Sequence, residues 1–101
     1  MVDDATFRKL AMALHGATEA AHFDRTAYRR RVIFATLASD GCTANLRFPP
    51  ERQAELVERF SHALRRVDNS WGDRGWTTLT LAHVVKPDLA YLLAIAHEAA
   101  K

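Results

Sequence analysis

The chain has 101 residues, a formal net charge of +2, and 49% hydrophobic and 26% charged residues. That balance excludes a disordered segment, leaves room for a single domain over 1–101, and makes a core possible without metals or disulfides. Cys42 has no partner cysteine, the start MVDDATFRKL is too acidic for a signal peptide, and no apolar run reaches membrane-spanning length, so a cytoplasmic, monomeric protein with no membrane contact is expected.

Asp3 or Asp4 can cap a first helix in which Phe7, Leu10, Ala11 and Leu14 recur at helical spacing, and Gly16 follows in a position suited to a left-handed helix end. Residues 19–23 and 27–30 then predict two short strands. Val32-Ile33-Phe34-Ala35-Thr36-Leu37 is the strongest strand signal, being β-branched and aromatic. Ser39-Asp40-Gly41 supplies turn chemistry, and Cys42–Phe48 returns with Ala44, Leu46 and Phe48 alternating against Thr43, Asn45 and Arg47. This alternation predicts a sheet with one packed and one wet face. Pro49-Pro50-Glu51 opens a second helix, with Ala54, Leu56, Val57, Phe60 and Leu64 as its apolar residues. A strand at 64–67, the stretch SWGDRGW, a strand at 76–81 and a helix opened by Pro87-Asp88 complete the chain. The order predicts an α+β fold of two layers, an antiparallel sheet of five to six strands with N-terminal, central and C-terminal helices.

No catalytic constellation can be assembled, and the chain is read as a non-enzyme. The histidines at 15, 22, 62, 83 and 97 show no pairing at helical metal-ligand spacing, Cys42 stands apart, and no phosphate-binding glycine motif exists. No metal and no cofactor are therefore expected. His22 and Asp24, two apart, are the best local polar pair. The basic side chains are more informative: eleven arginines stand against three lysines, and residues 25–47 hold five arginines and one aspartate. Arginine's planar fork suits phosphate and carboxylate. Arg29, Arg31 and Arg47, with Thr43 and Asn45, are expected to form a cationic platform on the wet face.

The set Phe7-Arg8-Lys9-Leu10-Ala11, Leu14-His15-Gly16-Ala17, His22-Phe23, Val32-Ile33-Phe34-Ala35, Ala44-Asn45-Leu46-Arg47, Trp71-Gly72 and Gly75-Trp76-Thr77 resembles the MmcQ/YjbR family of small bacterial proteins, in order over nearly the whole chain. The resemblance implies a compact fold similar to that of frataxin-like CyaY proteins and a double-wing arrangement proposed to bind DNA. It imports no iron site, because the first helix offers only Asp3 and Asp4 rather than an acidic ridge. Arg30-Arg31 stands where family members often have Gly-Lys, which retains the cation and changes the hairpin.

The leading expectation is a non-enzymatic, DNA-binding domain in which Arg29, Arg30, Arg31, Arg47 and Arg74 contact phosphates, while Asn45 and Trp71 or Trp76 touch bases. The alternatives are a protein-interaction or chaperone-like module using the sheet face, and a site for a small anionic ligand. Trp71, Gly72, Gly75 and Trp76 are expected to be structural, the tryptophans closing a buried lid over the sheet–helix core while Arg74 remains free.

Overall fold

The computed structural model describes all 101 residues. The elements in chain order are α1 (Asp4–Met12), β1 (Thr18–His22), β2 (Arg25–Arg29), β3 (Ile33–Ala38), β4 (Thr43–Arg47), α2 (Pro50–Arg59), β5 (Leu64–Arg66), α3 (Ser70–Asp73), β6 (Trp76–Thr80) and α4 (Lys86–Ala99). The six strands form one sheet in the order β1-β2-β3-β4-β6-β5, and every pairing is antiparallel. The α+β expectation holds, with the strand number at its upper bound.

Local chemistry explains the boundaries. Asp3 caps α1 by accepting from the Thr6 amide at 2.8 Å. Asp40 accepts from the Cys42 amide at 2.9 Å, and Gly41 takes a φ of +71°, which closes the β3–β4 turn. Pro50 begins α2 after Pro49, as the proline pair required. Gly16 does adopt a positive φ, but α1 ends earlier, at Met12, and Gly16 serves a later turn.

Strand alternation decides what lies between the layers. Tyr28, Ala35 and Leu46 occupy one cross-strand row, and Leu37, Ala44, Leu79 and Leu64 another. All are buried, in one cluster with Phe7 and Ala11 of α1, Leu56 of α2 and Leu89, Leu92, Leu93 and Ala96 of α4. α4 crosses β3 and β4 and packs on α1. A register shift at Tyr28/Arg29 lets the consecutive residues Phe34 and Ala35 both be buried. The Phe34 ring meets His97 of α4 edge-on, centroids 5.6 Å apart. In α2 the inward residues are Gln53 and Leu56, with Ala54 exposed, so the apolar stripe is rotated from the expected one. No helix is long and apolar enough to cross a membrane.

Candidate functional site on the uncovered sheet face

The other side of the sheet is left uncovered by the long helices α1, α2 and α4. Its middle row runs Ala20, Ala27, Thr36, Asn45, Thr78 and Arg65 from β1 to β5. A flanking row runs Arg29, Ile33, then Arg47 beside Trp76. Small residues in the middle and large ones at the margin make the surface concave. Two adjoining recesses result, of about 420 and 340 Å³, which share His22, Thr36, Trp71 and Trp76. The larger is also lined by Arg29, Arg47 and Arg74, the smaller by Asn45 and Asn69. No carboxylate lines either recess.

The tryptophan loop forms one wall, and its backbone is tightly specified. Asn69 caps the single-turn α3 by accepting from the Trp71 amide at 2.9 Å. Gly75 has a φ of +102°, and a Cβ there would sit 1.8 Å from the Phe48 carbonyl oxygen, so only glycine fits. Gly72 is equally committed, since a Cβ would lie 1.9 Å from the Val67 carbonyl oxygen. Arg66 pairs with Asp73 across the loop. From the helix side, Gln53 donates to the Trp76 carbonyl and to Thr77 Oγ1, both at 3.0 Å, and so pins the start of β6.

The tryptophans do not form the buried lid expected from sequence. Trp71 is 54% exposed and Trp76 only partly buried, and both line the recesses on the side away from the helical core. The reason is strand phase: Thr77 and Leu79 point into the core, so Trp76 and Thr78 face outward, and Trp76 pairs with Arg47. The glycines keep the structural role expected of them.

The arginines divide in two. Arg29, Arg47 and Arg74 line one recess and take part in no ion pair. Arg74 stacks its guanidinium 5.0 Å from the Trp71 ring centre. Arg30 is instead committed to the C-terminal end of α4, donating to the His97 carbonyl at 3.2 Å and lying 3.9 Å from Glu98. Arg31 also sits there, its amide donating to the Ala100 carbonyl at 3.3 Å, and it lines neither recess. Asn45 is on the face as expected; its Oδ1 accepts from Thr78 at 2.9 Å, which leaves the amide N–H groups for a partner.

Sequence reasoning missed Arg25 as a member of this face. It lies along the sheet, donating from Nε to Thr36 Oγ1 at 2.8 Å, and it covers Thr36. It also missed Phe23, at the β1–β2 turn, which is 95% exposed and has a φ of +57°. A bulky aromatic where a two-residue turn favours Gly, Asn or Asp was the available signal.

A further recess of about 380 Å³ lies on the helix side, lined by Asp4, Arg8, Glu19 and Tyr28 among others. Arg8 Nε donates to Glu19 at 2.8 Å and holds that carboxyl below the usual range. Burial, followed by the nearby Glu19, raises the pKa of Tyr28, whose buried hydroxyl has no hydrogen-bond partner. With Arg8 neutralised and Asp4 beside it, this recess does not suit an anion. The uncovered face does.

A helix-backed antiparallel sheet with one bare, arginine-rich face defines the class: a small two-layer α+β domain. The YjbR family model matches residues 12–99, and the chain belongs to that family. Two solved structures share the fold. A Deinococcus radiodurans protein, DR2400, described as a DUF419 domain, is 20% identical with a TM-score of 0.72, the match covering 89% of this chain and 72% of that one. A Pseudomonas syringae protein is 11% identical with a TM-score of 0.76, covering 99% of this chain and all of that one. No protein of curated function matches the chain.

Proposed function

We propose that this chain is a non-enzymatic DNA-binding domain that presents its uncovered sheet face to the nucleic acid. One observation carries the reading: Arg29, Arg47 and Arg74, none engaged by a carboxylate, converge on a recess walled by both tryptophans of the chain. Unpaired guanidiniums around a concave surface raise the local potential for phosphates, and each can bind one in bidentate fashion. Arg25 adds a fourth cation to the same face, while Arg30 contributes to stability and not to the contact.

Anisotropy of a labelled oligonucleotide at low salt tests this. Binding that neutralises three to four phosphates gives a log–log salt slope between about −2 and −4. Replacing Arg29, Arg47 and Arg74 together with Ala removes the binding and leaves the thermal transition in place. Flat anisotropy at low salt with both single and double strands would sink the reading.

A second reading has its own support in the recess volume of about 420 Å³, which lies in the range of roughly 300–1,000 Å³ typical of small-ligand sites. A small anionic metabolite seated beside Arg29 and Arg47 would raise the melting temperature in a ligand screen, independently of any polynucleotide.

A further inference from the structure

We infer that the strand bound by this face is single-stranded DNA, with one unstacked base held against Trp71 and Trp76 and another base of the same strand, at the opposite margin of the face, stacked on Phe23. The inference rests on the DNA-binding reading above and adds to it the strand state and the residues that touch bases.

The shape of the face separates two modes of contact. An intact duplex keeps its bases stacked inside and offers a protein only groove edges and phosphates. An aromatic-walled recess has nothing to receive from it. A single strand exposes the π-faces of its bases, and aromatic side chains beside a cationic groove are the recurring answer to that chemistry. Here the two recesses, about 420 and 340 Å³, share the tryptophan wall. Thr36 and Asn45 line the smaller one, so the spare amide donors of Asn45 can meet a base edge. Arg74 packs its cation 5.0 Å from the Trp71 ring centre, and with Arg29 and Arg47 on the rim it supplies phosphate contacts.

Phe23 is the second, independent sign. Its backbone occupies the left-handed region at φ +57°, where an aromatic residue is disfavoured, and its side chain is 95% exposed. Nothing in the folded domain rewards either feature: the one aromatic neighbour is His22, edge-on with centroids 4.9 Å apart. Strain held at an exposed turn is a mark of a functional position. His22 itself lines both recesses from the β1 edge, so His22 and Phe23 stand across the face from the two tryptophans and put aromatic surface at its opposite margin.

The test compares oligothymidine of about 12 nucleotides, within the site sizes of small single-strand binding folds, with its duplex, reading anisotropy and intrinsic fluorescence together. Both tryptophans line the recess, so stacking quenches the whole tryptophan signal. The single strand is expected to bind at least about tenfold tighter, a difference of about 1.4 kcal/mol, with quenching. Trp71→Ala weakens it about 5- to 150-fold, and Trp71→Phe restores much of the loss. Phe23→Asn weakens binding while raising the melting temperature, because Asn accepts the left-handed turn; a Phe23 that served only the fold would lower it. Duplex binding as tight as single-strand binding, without quenching but still abolished by the arginine variants, overturns the inference and leaves phosphate binding standing. Failure of both forms to bind overturns the inference and the DNA-binding reading together.

Discussion

Leu46 and Arg47 are neighbours in sequence and belong to different parts of the molecule. Leu46 is fully buried against the helices, in the row that also holds Tyr28 and Ala35. Arg47 points the other way, pairs with Trp76, and lines a recess open to solvent. The same contrast holds along β3, where Leu37 is core and Thr36 faces the other way, accepting a hydrogen bond from Arg25. Helices on one side satisfy the core's need for apolar area, so the second face is free to carry charge and aromatic surface. Core packing and exposed charge are thus separated by strand phase and not by position along the chain.

The strongest attempt to break that separation substitutes the two neighbours in turn. Leu46→Ala costs about 2–5 kcal/mol in urea denaturation, whereas Arg47→Ala changes stability by no more than about 0.5 kcal/mol and weakens DNA binding. An unfolded Arg47→Ala protein would show that the two faces are not independent. A smaller effect probes the link between them. Gln53 is buried on the helix side and holds the backbone of Trp76 on the other. Gln53→Ala is expected to cost about 1–3 kcal/mol, because it removes the donor to the buried Thr77 hydroxyl and one of the two donors to the Trp76 carbonyl, the other being the Val67 amide. It should also broaden the tryptophan emission, which would show that the recess depends on a core residue.

The smallest effect belongs to the covered side's margin. Arg8 depresses the Glu19 pKa in the folded state, so this pair stabilises at pH values above the unfolded glutamate pKa of about 4.3 and ceases to do so as the pH falls through the folded value. Glu19→Gln should therefore flatten the fall in melting temperature below about pH 4.3 and leave the neutral-pH value nearly unchanged, since Arg8 is largely exposed. Binding at the other face should be unaffected at neutral pH.

The strands, the starts of the long helices and the position of Asn45 and Arg47 were legible because each depends on chain-local rules: period-two alternation, turn residues and a capping Asp or proline at a helix start. The role of Trp76 was equally encoded, since an inward Thr77 and Leu79 force it outward, yet two large indoles beside two glycines read more readily as a core plug. Arg29 and Arg30 show the limit. They are adjacent and chemically identical, and only the docking of the α4 end assigns Arg30 to His97 and Glu98 while Arg29 faces the recess. Arg25 and Arg74, 49 residues apart, belong to the same face only because strand order β2-β3-β4-β6 builds their segments into one sheet.

By itself, then, the sequence determined the α+β class, the order of the strands and of the three long helices, the family resemblance and the inward–outward alternation of β4, because class, order and alternation follow from local propensity and burial periodicity. Only the tertiary structure decided which arginines remain unpaired, that Trp71 joins Trp76 at the same recesses, and that Phe23 stands across the face from them. Those are properties of side chains brought together across strands, and no one-dimensional pattern specifies which long-range partners a charge or an aromatic ring will find.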